Sequence, residues 1–133
     1  MKKPVFTGAA VAIVTPMYAD GSINYEELGR MIEDQIAHHT DAIVICGTTG
    51  ESPALDHEEH TECVRYTVQK VAGRVPVIAG TGSNDTRYAI ELSRQAQQDG
   101  ADALLLVTPY YNKTSQAGLI AHYTAIAQAV DLP

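Results

Sequence analysis

Ala42-Ile43-Val44-Ile45-Cys46 runs directly into Gly47-Thr48-Thr49-Gly50-Glu51. Five consecutive apolar residues, two of them isoleucine and one valine, predict a strand covered on both faces, as in a parallel sheet flanked by helices. In such folds the C-terminal end of the strand carries the chemistry. Two glycines let backbone N–H groups approach a ligand closely, and Thr48 and Thr49 add hydroxyl donors and acceptors beside them. The combination suits a small carboxylate or carbonyl compound.

On either side the chain repeats this order of strand, then helix. Ala9 to Val14 reads as a first strand, closed by Thr15-Pro16. Asp20-Gly21 marks a turn, and Asn24 with Glu27 three residues on predicts a capping box, opening a helix with Leu28, Met31, Ile32, Gln35 and Ile36 turned inward. Asp56 and Glu59 predict a second capping box, followed by an inward stripe of Val64, Thr67, Val68 and Val71 and a stop at Gly73. Val75 to Ala79 reads as the third strand, with Pro76 near its start, where a missing donor costs least. A helix from about Asp85 to Asp99 stops at Gly100. Ala103 to Val107 is the fourth strand, and Ser115 begins a helix with Leu119, Tyr123, Ile126, Ala127 and Val130 on one face.

These are four βα units of an α/β chain. A right-handed series of them makes either an open doubly wound sheet or part of a closed barrel. Every strand runs into a small, hydroxyl-bearing or glycine-rich loop: Thr15-Pro16, Gly47-Thr48-Thr49-Gly50, Gly80-Thr81-Gly82-Ser83 and Thr108-Pro109-Tyr110-Tyr111-Asn112. An open sheet needs ligand chemistry only at its switch point, whereas a barrel gathers all its strand ends around one mouth. The pattern favours the N-terminal half of a TIM (β/α)8 barrel. Residues 1–133 are then a single partial domain, with the C-terminal half absent.

Nine basic against sixteen acidic residues give a formal net charge of −7, which disfavours nucleic acid and anionic membrane as partners. Lys2 and Lys3 ahead of Val5 to Val14 imitate a secretory signal, but Pro4, Thr7 and Gly8 interrupt the stretch and no small-residue cleavage site follows. No apolar run reaches membrane-spanning length. Cys46 and Cys63 read as reduced core thiols, which predicts a cytoplasmic setting.

Two other motifs point away from cofactors. Gly80-Thr81-Gly82 begins like a dinucleotide fingerprint, yet Asp85 stands where the third glycine belongs. His57-Glu58-Glu59-His60 could turn two imidazoles to one face, but the spacing is not that of zinc proteases and no third ligand is evident. Neither a metal nor a cofactor is expected, and an exposed or capping role suits the two histidines equally. Glu51 reads as a structural hydrogen-bonding group of its loop.

Gly47-Thr48-Thr49-Gly50-Glu51-Ser52, Ala79-Gly80-Thr81-Gly82 and Thr108-Pro109-Tyr110-Tyr111-Asn112, in this order and each at a strand end, resemble the dihydrodipicolinate synthase family across the whole chain. The first element is shared with the wider superfamily of pyruvate-dependent class I aldolases. The resemblance implies a (β/α)8 barrel, a homotetramer arranged as a dimer of dimers, that condenses pyruvate with L-aspartate 4-semialdehyde in lysine and diaminopimelate biosynthesis. In this family pyruvate forms a Schiff base with a lysine, becomes an enamine and attacks the aldehyde, which then closes a ring.

The resemblance assigns Thr48 and Tyr111 to a proton relay and Thr49, through its hydroxyl and backbone N–H, to the pyruvate carboxylate. A tyrosine with a pKa of about 10 is a poor lone base, and a threonine a poorer one, but a hydrogen-bonded chain passes a proton without a stable charge. It also implies that Tyr111 reaches the partner subunit's site. Ser52, His57, His60, Asn84 and Tyr110 match the pocket where lysine-sensitive members bind lysine. Tyr88 departs from that pattern, standing where a glutamate holds the effector's ammonium group, which speaks against feedback inhibition.

The family's Schiff-base lysine lies at the end of the sixth strand, beyond Pro133. The lysines present are Lys2, Lys3, Lys70 and Lys113, none of them at a strand end. The chain alone is therefore expected to form no covalent pyruvate adduct. Two other readings fit the residues: a catalytically silent half-barrel serving assembly or effector binding, and part of another pyruvate-dependent aldolase such as an N-acetylneuraminate lyase.

Overall fold

A computed structural model describes residues 4–133, so the reading of Lys2 and Lys3 lies outside the described residues. Strands β1 (Ala10–Ala12), β2 (Ala42–Ile45), β3 (Val77–Gly80) and β4 (Ala103–Leu105) form one sheet in the order β1-β2-β3-β4. Every pairing is parallel. Helices α1 (Tyr25–Ala37), α2 (His57–Val71), α3 (Thr86–Gln98) and α4 (Gln116–Ala127) alternate with the strands, as four βα units require.

The register explains which face is covered. Ile43 pairs with Val77 and Ile45 with Ala79, and these four side chains are buried with Leu28, Ile32, Val64 and Val71 of the helices in one apolar cluster. Val44 and Ile78, aligned with each other on the opposite face, are only half-buried. At the strand ends Val14 is 44% and Leu105 41% exposed. The strand read as covered on both faces is buried at Ala42, Ile43 and Ile45 and half-buried at Val44: the helices seal one side, and within this chain the other is partly open.

Capping follows the sequence closely at two helices. The Asp56 side chain accepts from the Glu59 N–H at 2.8 Å while Glu59 accepts from the Asp56 N–H at 3.0 Å, closing the predicted box. Ser115 accepts from the Gly118 N–H at 3.1 Å. At α1 only half of the box forms. Asn24 accepts from the Glu27 N–H at 3.0 Å, but the Glu27 carboxylate turns to Arg30 instead.

Strand limits differ from the expected ones for identifiable reasons. β2 stops at Ile45 because Cys46 adopts φ 55°. β1 and β4 are shorter than Ala9–Val14 and Ala103–Val107, since each has a neighbour on one side only. β3 begins at Val77 because Pro76 has no N–H, although its carbonyl still accepts from Ile43 at 3.0 Å. α2 ends at Val71 with Ala72, before Gly73, already left-handed at φ 50°. In α4 Ile126 is buried as expected, but His122 takes an inward position and Ala127 is exposed. That helix is apolar on most sides, so periodicity cannot select its buried face.

Candidate functional site

The loop after β2 is shaped by its own backbone. Once Cys46 turns the chain, the Gly50 N–H donates to the Gly47 carbonyl at 3.0 Å and the Glu51 N–H to the Thr48 carbonyl at 3.1 Å. This tight turn leaves Thr48 and Thr49 exposed at its tip. Glu51 has φ 55°, is exposed, and its carboxylate makes no hydrogen bond among the described residues. The expected structural role for that carboxylate is corrected, because backbone bonds close the turn without it.

Neighbouring strand ends hold the loop in place. Buried Thr15 donates from Oγ1 to the Gly50 carbonyl at 2.7 Å. On the other side the Gly80 backbone lies so close that an added β-carbon would stand 2.1 Å from the Cys46 carbonyl oxygen, a position only glycine fits. Thr81, fully buried, bonds Ser93 of α3 through a 2.9 Å hydroxyl contact. Three consecutive strand ends are thereby locked to one another and to the helix layer.

Behind the loop lies a cavity of about 360 Å³. Thr48, Ser52, His60 and Tyr110 line it together with Tyr88 and the apolar Leu55, Leu92 and Val107. His60 is 3% exposed, and its Nε2 lies 2.8 Å from the Gly80 carbonyl. Burial holds its pKa below the ordinary histidine value, with the Gly80 carbonyl opposing that only in part, so a neutral ring donates from Nε2. This histidine is neither exposed nor a cap. Tyr88 is pushed up by burial first and by Glu91 and Asp56 next; it stays a neutral phenol.

His57 opens α2 facing elsewhere, with Nε2 4.0 Å from a Glu91 oxygen and its ring 5.9 Å from that of Tyr88. The two imidazoles do not converge on one point. Asn84 and Asn112 clasp each other across the β3 and β4 loops. Asn112 Nδ2 donates to the Asn84 carbonyl at 3.1 Å, and Asn84 Nδ2 to the Tyr110 carbonyl at 3.3 Å. Beyond the clasp Tyr111 stands at φ 70° and 96% exposed, so its hydroxyl meets Thr48 nowhere within this single chain's cavity.

Of the expected site residues, Thr48, Ser52, His60 and Tyr110 share the cavity, Thr49 sits at the loop tip, and His57, Asn84 and Tyr111 lie outside. Sequence reasoning missed the bond from Thr15 to Gly50 and the clasp made by Asn112. Both residues stood inside quoted strand-end motifs, and a bond from a hydroxyl to a loop carbonyl thirty-five positions away leaves no mark in one sequence.

The profile of the Dihydrodipicolinate synthetase family matches residues 5–133. The 4-hydroxy-tetrahydrodipicolinate synthase of Lachnoclostridium phytofermentans is 62% identical over 129 residues, covering 97% of this chain and 44% of that protein. The crystal structure of dihydrodipicolinate synthase from Aquifex aeolicus superposes with a TM-score of 0.94 at 49% identity, over 96% of this chain and 43% of that one. The chloride-inhibited enzyme of Acinetobacter baumannii, solved in complex with pyruvate, gives 0.93 at 52% identity over 95% of this chain and 43% of that one. The chain spans less than half the length of the curated relatives it matches. Agreement over nearly all of its residues, in profile, identity and backbone, establishes that the chain belongs to the dihydrodipicolinate synthetase family.

Proposed function

We propose that residues 1–133 are the first half of a (β/α)8 barrel whose complete form condenses pyruvate with L-aspartate 4-semialdehyde through a Schiff base, in the cytoplasm and as a homo-oligomer. The observation that carries this reading is the Gly47–Glu51 turn, pinned by Thr15 and Gly80 with its threonines at the tip. Preorganised donors of this kind orient an anion without rearranging when it binds. Thr49 then takes the pyruvate carboxylate, and Thr48 passes protons with a Tyr111 supplied by a second subunit. The exposure of Tyr111 supports that arrangement, since an aromatic ring left in water gains most from a partner.

The covalent amine comes from residues outside this chain. Lys70 lies on α2 with Nζ 3.3 Å from Glu33, and Lys113 is exposed on the loop after Tyr111. Neither lies at a strand end or lines the cavity behind the Gly47–Glu51 turn. Among Ser52, His57, His60, Asn84 and Tyr110, the three that share the cavity, Ser52, His60 and Tyr110, stand with the uncharged Tyr88, which offers nothing to a lysine ammonium group, so lysine is expected to bind weakly there.

Borohydride trapping with pyruvate, read by intact mass, tests this. The chain alone should gain no mass. Paired with the complementary half of the Lachnoclostridium relative, the partner half should acquire the adduct, and Thr49→Val should weaken its formation. An adduct on the chain alone overturns the reading.

A further inference from the structure

We propose that Asn84 and Asn112 form a positioning clasp, which holds the loop after β4 in a strained shape and so presents the Tyr111 ring outside its own subunit. Three contacts make the clasp. Asn112 Nδ2 donates to the Asn84 carbonyl at 3.1 Å, and Asn84 Nδ2 lies 3.3 Å from the Tyr110 carbonyl and 3.4 Å from Asn112 Oδ1. Tyr111 is thereby held on both sides, through the carbonyl before it and the side chain after it.

The shape being held is unfavourable. Tyr111 stands at φ 70° and Lys113 at φ 48°, left-handed values that residues with a β-carbon seldom adopt and that persist only where surrounding contacts enforce them. From Thr108 to Thr114 the chain makes no backbone-to-backbone hydrogen bond among the described residues. Burial gives no help at the tip, since Tyr111 and Asn112 are both exposed. The bonds of Asn84 and Asn112 are what fixes it.

The clasp is anchored on a rigid base. Gly82 lies so near the root of the loop that an added β-carbon would stand 2.5 Å from the Val107 nitrogen, and Thr108 Oγ1 meets the Tyr123 hydroxyl of α4 at 3.4 Å. Asn84 sits between buried Ser83, whose hydroxyl accepts from the Asp85 N–H at 3.1 Å, and Asp85, whose carboxylate caps α3 by accepting from the Arg87 N–H at 2.9 Å. Asn84 is thus a stationary post at the start of α3, and the loop tip is fixed to it through Asn112. Neither asparagine touches a reacting group; both act through Tyr111, and that last step rests on the reading of Tyr111 as a proton-relay residue supplied to a second subunit. A loop already ordered loses little conformational freedom when subunits meet.

The experiment has two arms. In the first, 15N relaxation of the full chain should give order parameters of about 0.85 at the Tyr111 and Asn112 amides, falling below about 0.6 in Asn84→Ala and in Asn112→Asp. The melting temperature should stay within a few degrees, as for other surface substitutions. Flexible amides in the unaltered chain, order parameters unchanged in both variants, or a loss confined to the melting temperature each overturn the proposal. In the second arm the chain is paired with the complementary half of the Lachnoclostridium relative. Tyr111→Phe, Asn84→Ala and Asn112→Asp should each slow borohydride-trapped adduct formation at saturating pyruvate, and Asn112→Asp should add nothing to Tyr111→Phe in the double variant. Clasp variants as fast as the unaltered assembly beside a slow Tyr111→Phe overturn the proposal. A fast Tyr111→Phe overturns the relay reading instead, and the clasp is then decided by the first arm.

Discussion

The Thr15 hydroxyl donates a 2.7 Å hydrogen bond to the carbonyl of Gly50 across thirty-five positions of sequence. It joins the end of β1 to the loop after β2, where Thr48 and Thr49 sit. Thr15 is 5% exposed, so water cannot replace it. Thr15→Val keeps the shape and removes the donor, leaving a buried carbonyl unpaired at a cost of about 1–3 kcal/mol. Thr15→Ser restores the donor and should recover most of that loss. Denaturant titration measures both, and amide exchange of Gly50 and Glu51 should quicken in the valine variant alone.

Gly80 and Gly47 should respond in opposite ways to the same added methyl group. At Gly80 a β-carbon would meet the Cys46 carbonyl at 2.1 Å and the Gly47 nitrogen at 2.9 Å, both backbone atoms. Two strand ends would have to part, costing about 3 kcal/mol or more. At Gly47 the nearest atoms are side-chain carbons of Val44 and Leu105 at 3.6 and 3.8 Å, ordinary contact distances. Gly47→Ala should change stability by less than about 1 kcal/mol. Melting temperatures of the two variants decide the matter, and equal losses would refute the close approach of Gly80 to Cys46.

What could be read from the sequence was local. Asp56 with Glu59, and Ser115 ahead of Gly118, announce helix starts through bonds spanning three residues, and apolar runs announce strands. The strand-end loops stood out as well, because glycines and hydroxyls interrupt apolar stretches there. The contacts that turn these loops into a site are long-range. His60 looked like an exposed or capping residue because it lies beside a helix start, yet twenty positions separate it from the Gly80 carbonyl it serves. The left-handed turn at Cys46 was equally hidden, since a non-glycine residue is rarely placed there and only the packing of Gly80 against it makes the conformation intelligible.

An ion cluster on the helix layer should make stability fall at low pH. The Arg74 guanidinium donates to both Glu33 carboxylate oxygens, at 2.7 and 2.9 Å, with Lys70 3.3 Å away. Hydrogen bonding from Arg74, more than from Lys70, holds the Glu33 pKa at about 2 against an ordinary 4.5. A carboxyl depressed in the folded state contributes stability above its unfolded value. That contribution disappears as pH falls from 4.5 toward 2. The groups are exposed to solvent, so added salt should weaken the effect. In Arg74→Ala, an NMR titration of the Glu33 carboxyl should move back most of the way to the ordinary value; an unmoved titration would show that Arg74 is not the cause.

His60 should impose a second, separate pH dependence near neutrality. Its folded-state pKa lies below the ordinary 6.5, chiefly through burial. As pH falls through 6.5 the unfolded chain takes up a proton at this ring and the folded chain does not, so the unfolded state is favoured and stability declines until the lower folded value is reached. His60→Gln offers an amide N–H to the Gly80 carbonyl without titrating. The wild-type denaturation midpoint should therefore drop more than that of His60→Gln between about pH 7 and pH 5, while the two remain close at the upper end. The two proteins differ at this ring alone, so the rest of the chain cancels in the comparison. Parallel pH profiles would mean that the ring is solvated, and that the bond from Nε2 to Gly80 does not hold the loops of β2 and β3 together.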